Sequence, residues 1–240
     1  MNLQQVLSFT RRAVEDYQMI ADGDRIAIGI SGGKDSLTLL HALHGLRRFY
    51  PRAFDIHAVT VDLGFENLRL DEVARLCADL SVPYEVLKTD IAEVVFEKRC
   101  EQNPCSLCAK MRKGALNDFA RTAGLNKVAY GHHRDDAIET LLLSLIFEGR
   151  LHTLGPVTYL DRADIHVIRP LIYMKETDVI GFVRQMCLPV VKSPCPVDGH
   201  TKREYAKELL RSLNAAHPGI RERMFAAVRG SGIEGWGMIS

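Results

Sequence analysis

The tightest constraint in this chain of 240 residues is a short stretch, Ser31-Gly32-Gly33-Lys34-Asp35-Ser36, set between the β-branched run Arg25–Ile30 and the helical pattern Ser36–Arg48. Two adjacent glycines permit a tight turn and leave backbone N–H groups uncovered, and a helix that follows aims its positive end at the same point. A strand, such a loop and a helix together make an anion cradle at the strand's end. The strand-then-helix order recurs downstream. Strands are expected at Asp55–Val61, Tyr84–Leu87, Lys127–Tyr130 and Ile165–Ile168, and helices at Asn67–Leu80, Ala109–Ala123, Asp135–Phe147, Glu176–Cys187 and Lys202–Asn214. That alternation implies an α/β fold: an open, mainly parallel, five-stranded sheet with helices on both faces. Ligands of such sheets bind beyond the carboxyl ends of the strands, where the strand order reverses.

An apolar content of 47% and a charged content of 25% suit one globular domain, expected over residues 1–228. Within it, residues 1–20 read as an amphipathic helix and 171–228 as a helical C-terminal part; residues 229–240, rich in Gly and Ser, are expected to form a mobile tail. No apolar run approaches the roughly 20 residues of a membrane span, and the N-terminus lacks a signal-peptide pattern. The expectation is a cytoplasmic protein with no membrane partner. Six cysteines then point to metal or redox chemistry rather than a disulfide framework. The net charge of +1 hides an asymmetry: residues 1–97 carry 10 Lys/Arg against 15 Asp/Glu, and the remainder 21 against 15. The downstream half can therefore offer a basic face to nucleic-acid phosphates, with Lys202, Arg203, Lys207 and Arg211 as the expected contacts.

The glycine loop has neither the G-x-x-x-x-G-K-[ST] spacing of kinases and GTPases nor the dinucleotide G-x-G-x-x-G. It resembles the PP-loop, SGGxDS, of ATP pyrophosphatases, which cleave ATP between the α and β phosphates and adenylate a substrate. On that reading Ser31, Gly32, Gly33, Lys34, Asp35 and Ser36 cradle the phosphates, with Val61 and Gly131 facing the nucleotide from neighbouring strand ends. Asp62 ends the second strand. Asp135 and Asp136 follow the fourth in Gly131-His132-His133-Arg134-Asp135-Asp136. Carboxylates at a helix start ordinarily serve as caps and dipole complements, but next to a polyphosphate site they can hold Mg²⁺.

Cys105-Ser106-Leu107-Cys108 opens a basic helix carrying Lys110, Arg112 and Lys113. Such a pair suits a redox dithiol, half a zinc site or part of an iron–sulfur ligand set. A third thiol, Cys195, stands in Ser193-Pro194-Cys195-Pro196, and three thiolates would leave one coordination position open. Cys77 and Cys187, inside apolar helical patterns, read as small buried hydrophobes. Cys100 completes a C-x₄-C-x₂-C spacing that reads as coincidence.

SGGKDS, CSLC before a basic helix, GHHRDDAIET, HVIRPL and a lone cysteine in SPCP together resemble the TtcA-type tRNA 2-thiocytidine synthetases over roughly residues 20–228. The resemblance implies an enzyme that uses ATP and Mg²⁺ to adenylate the C2 carbonyl of cytidine 32 in tRNA. Sulfur carried on a [4Fe–4S] cluster held by Cys105, Cys108 and Cys195 then replaces the oxygen. It also implies tRNA and a sulfur donor, a cysteine desulfurase or free sulfide, as partners, and a homodimer. Catalytic roles fall to Asp136, Asp135, Asp62 and Arg112. Two features depart from the family's pattern: Cys195-Pro196-Val197-Asp198 lacks a second downstream cysteine, and Asp198–Arg203 gives the chain its own version of that loop. The alternatives are a 2-thiouridine synthetase sharing these motifs, lysidine-type modification or another PP-loop amidation, and a non-thiolating PP-loop ATPase with structural zinc.

Overall fold

The computed structural model describes residues 1–99, 104–192, 194–197 and 202–237. After helix α1 (Leu3–Asp16), the chain runs β1 (Asp24–Gly29), α2 (Lys34–Arg47), β2 (Phe54–Asp62), α3 (Asp71–Asp79) and β3 (Tyr84–Lys88). It continues through α4 (Pro104–Thr122), β4 (Lys127–Ala129) and α5 (Arg134–Leu143) to β5 (Val157–Leu160) and β6 (Ile165–Ile168). Helices α6 (Glu176–Met186), α7 (Lys202–Ala216) and α8 (Ile220–Gly230) follow. Two π-helical turns, Glu93–Lys98 and Ser144–Glu148, precede α4 and extend α5.

The strands lie in the order β3-β2-β1-β4-β6-β5, parallel except for the β5–β6 hairpin. The expected five-stranded sheet is thus six-stranded. Residues Val157–Leu160 were not expected as a strand, because a four-residue edge segment with two exposed side chains presents no buried alternating face to read. Helix α3 starts at Asp71 rather than at Asn67, which adopts a left-handed φ of 65°.

Alternation along the strands divides the core. Ile26, Ile28, Ile56 and Ala58 pack with α1, α2, α6 and α8 on one face, while Ala27, Val59, Val61 and Val128 pack against Leu116 and Ala120 of α4 on the other. Helix α2 is enclosed nearly all round, burying every residue from Ser36 to Leu43, as expected of a helix between the sheet and outer helices. Chain order proceeds from β1 outward through β2 and β3, then returns to β4 on β1's other side. The reversal point lies between β1 and β4, so the loops after those strands meet there.

The segment from 229 is not a free tail over its described residues. Arg229 and Gly230 end α8, and Trp236 is 1% exposed with its ring 6.1 Å from Tyr17 and 5.6 Å from Phe225. Gly and Ser supply the bends; the one tryptophan supplies the anchor. Among the described residues no helix is long and apolar enough to cross a membrane.

Candidate active site

Gly32 turns the chain at φ 77°, a conformation that a side chain would strain, and Gly33 then caps α2. The serines brace this loop. Ser36 Oγ accepts from the Ser31 N–H at 3.2 Å and donates to the Gly33 carbonyl at 2.9 Å, and Ser31 Oγ accepts from the Gly33 N–H at 3.3 Å. Gly131, after β4, approaches so closely that a Cβ there would stand 2.7 Å from the Asp35 carbonyl. Close approach, rather than turning, is what requires glycine at 131.

These loops floor a cleft of about 440 Å³, ample for a nucleotide. Ser31, Gly33, Asp35, Ser36, Val61, Asp62, Arg112, Gly131 and Asp136 all line it, as does His132. Most of the expected site residues are therefore brought together. Gly32 faces the loop around Val191, whose N–H donates to the Gly32 carbonyl at 2.9 Å. Lys34 is engaged elsewhere, pairing with Asp35 at 3.1 Å and Glu176 at 3.2 Å. Burial opposes its charge, but these two carboxylates prevail and raise its pKa.

Asp135 does not reach the cleft. It is 3% exposed, accepts from the Glu176 N–H at 2.8 Å and pairs with Arg221, so it clamps α5 to the start of α6 and to α8. Adjacent residues on a helix point about 100° apart, so one aspartate of the pair faces the site and the other the outer helices. Asp136 faces the site. Its carboxylate accepts from the His133 N–H at 2.9 Å and from Arg203 at 2.9 Å. Burial would raise its pKa, but His133, His132 and Arg203 outweigh that and hold it low. One turn on, Glu139 is pushed up to about 7 by burial and by the charge of Asp136.

Asp62 Oδ1 accepts from the Gly64 N–H at 3.0 Å, closing a short turn beside the cleft. Arg112, Tyr130 and His132 also line the cleft. Burial pushes His132 down to about 3, aided by Arg169, so its ring is neutral. Burial raises the Tyr130 phenol to about 12, and lowers the Lys113 ammonium with help from Arg169 and Arg112.

Cys105 and Cys108 lie on the first two turns of α4, Cys105 exposed and Cys108 half-buried, with Cys195 also half-buried. Burial raises the Cys108 thiol; Arg112 opposes this, and Cys195 and Cys105 add to it. The three thiols thus share one electrostatic neighbourhood beside Pro194 and Arg112 of the cleft wall. Among the described residues no three His, Cys, Asp or Glu side chains already stand in metal-holding geometry. The soft thiolate donors suit an iron–sulfur group. Cys100 lies outside the described residues. Cys187, expected to be buried, is exposed at the left-handed end of α6 (φ 50°), a position open to solvent by geometry.

The expected basic stripe also divides. Arg203 and Lys207 point inward, to Asp136 and to Glu176 at 3.3 Å, while Lys202 lies 4.7 Å over the Phe147 ring and Arg211 is exposed. Residues four apart share a face, which here is turned toward the carboxylates of α5 and α6. Arg203, His132, His133 and Glu176 were not assigned to this site from sequence; the only available signal was the polar density of GHHRDD.

The chain matches the PP-loop domain family model over residues 5–212. The tRNA-cytidine(32) 2-sulfurtransferase of Geobacter sulfurreducens is 41% identical over 220 residues, covering 90% of this chain and 86% of that protein. The protein of the same name from Pelobacter propionicus is 44% identical, with 90% and 82% covered. In structure the chain resembles the U34-tRNA thiolase NcsA from Methanococcus maripaludis with its [4Fe-4S] cluster. The TM-score is 0.77 at 23% identity, covering 95% of this chain and 79% of that one, a likeness of fold.

Proposed function

Because this chain belongs to the PP-loop domain family and, within it, to the tRNA-cytidine(32) 2-sulfurtransferases, we propose that its cleft adenylates the carbonyl oxygen at C2 of cytidine 32 and exchanges that oxygen for sulfur. The observation that carries this reading is one cleft with the Ser31–Ser36 loop as floor and Asp136 and Arg112 on its walls, with Cys108 near enough to feel the charges of Arg112, Cys105 and Cys195.

ATP lies with its phosphates over the glycine loop and the α2 N-terminus, where the helix dipole and the N–H groups of the first turn favour anions. Val61 and Gly131 shape the nucleotide's flank. Asp62 and Asp136 would hold Mg²⁺, which neutralises phosphate charge as the pyrimidine O2 attacks the α-phosphorus and pyrophosphate leaves. Arg112 offsets negative charge developing at the phosphate or at incoming sulfur. Neutral His132 and protonated Tyr130 present hydrogen-bonding groups without adding charge. Cys105, Cys108 and Cys195 would hold a [4Fe–4S] cluster, which supplies iron with a position open to sulfur. Sulfur at C2 then displaces AMP together with the former carbonyl oxygen.

The test is anaerobic incubation of the purified protein with unmodified tRNA, Mg·ATP and sulfide, followed by nucleoside mass spectrometry. The expected product is 2-thiocytidine at position 32. Thiolated uridine with unchanged cytidine would select the 2-thiouridine reading instead, and a colourless zinc protein forming no thionucleoside would select the non-thiolating one.

A further inference from the structure

One side chain assigned from sequence to the tRNA surface is paired instead with a carboxylate of the cleft wall. A single guanidinium nitrogen of Arg203, at the start of α7, lies 2.9 Å from Asp136 Oδ1 and 3.2 Å from Glu139 Oε2. The Glu139 side chain is 1% exposed, and Arg203 is its ion-pair partner among the described residues. Both carboxylates sit on α5, three residues apart and so on one face. Without a cation between them, two acids so placed repel, and the partly buried Asp136 would be pushed from its position.

The helix that carries Arg203 is tied to the phosphate loop a second time. Lys207, one turn on, reaches Glu176, which in turn holds Lys34. The chain enters α7 shortly after Cys195, and Val191, just before that cysteine, is hydrogen-bonded to Gly32. The segment bearing Cys195 is therefore fastened to the nucleotide loop at its start and to the cleft carboxylate beyond its end.

We propose that Arg203 is a positioning residue for the reaction: it fixes Asp136 in the cleft, shielded from Glu139, and registers the Cys195 segment against the nucleotide site. The inference rests on the reading of the cleft as an adenylation site, but not on which base is thiolated. A plain structural strap would influence stability alone; a positioning role influences turnover in the folded enzyme.

The test uses the full 240-residue chain, with Arg203→Met, Arg203→Gln, Arg203→Lys and the Arg203→Met/Glu139→Gln pair compared by AMP release with tRNA, Mg·ATP and sulfide. Each is also compared by thermal melting and by the salt dependence of tRNA binding. Arg203→Met should lower kcat about 10- to 100-fold, the scale of a small misplacement of catalytic groups, with an unchanged salt slope and unchanged KM for tRNA. Arg203→Lys should recover part of the loss. The double variant should be no slower than Arg203→Met, since the repelling carboxylate is gone. Wild-type kcat in folded Arg203→Met overturns the proposal. So does a salt slope reduced by about one with kcat intact, the mark of a lost phosphate contact. If Arg203→Met does not fold, the neutral Arg203→Gln carries the same comparison, and wild-type kcat there overturns it. Failure of the adenylation reading is separately visible as wild-type protein that releases no pyrophosphate from ATP and tRNA.

Discussion

Ser36 holds the phosphate loop closed from inside, with its oxygen serving the Ser31 N–H and the Gly33 carbonyl while only 5% of the residue is exposed. Ser36→Ala leaves both partners unsatisfied, at about 1–3 kcal/mol each when buried. We expect ATP affinity to fall at least tenfold, measured by calorimetry with a non-hydrolysable analogue, and an unchanged affinity would remove Ser36 from the cradle. Asp35→Ala should abolish thiolation while leaving any cluster absorbance intact, because every cysteine is remote from it in sequence. Glu139 makes a pH prediction. Its folded pKa of about 7 lies above its ordinary 4.5, so the folded state holds that proton more tightly. Stability is then full below about pH 4.5 and declines as pH rises toward 7. Glu139→Gln should flatten that decline in denaturant titrations without nucleotide or Mg²⁺; an equal slope in both proteins would contradict the burial argument.

At the scale of elements, α4 joins two chemistries by its length. Its first turns bring Cys105 and Cys108 to one end, Arg112 lines the cleft a turn later, and Leu116 packs into the core under the sheet. Cys105→Ala, Cys108→Ala and Cys195→Ala should each lose iron–sulfur absorbance in anaerobically purified protein, and all activity with it. Cys100→Ala should keep both. Bleaching by Cys100→Ala as thorough as by Cys195→Ala would mean a fourth thiolate and a closed cluster, and sulfur would then travel as a persulfide between thiols. Helix α7 has a corresponding division: Arg203 and Lys207 on its inner face serve the cleft, and Lys202 and Tyr205 on its outer face meet Phe147.

At the scale of the whole molecule, Trp236 closes the fold by joining the first helix to the last through Tyr17 and Phe225. Trp236→Ala should cost about 3–5 kcal/mol, the usual loss for a buried aromatic, read as a shifted midpoint in urea; a loss under 1 kcal/mol would mean that the segment is dispensable. The parallel core, the strand ends at which a ligand binds and the glycine loop were all legible in the sequence. Each is written locally, in period-two runs of Val and Ile and in glycines that a tight turn or close approach requires. The family was legible for the same reason, since its motifs are short and continuous. Tertiary structure alone decided which of Asp135 and Asp136 faces the cleft and that Arg203 and Lys207 turn inward. It also decided that Val157–Leu160 completes a sixth strand and that Trp236 is an anchor. Those outcomes depend on what lies opposite each side chain, supplied by residues up to 219 positions away, as with Tyr17 and Trp236. A charge or an aromatic ring in sequence carries its chemistry but not its direction; the partner brought to it by folding sets that.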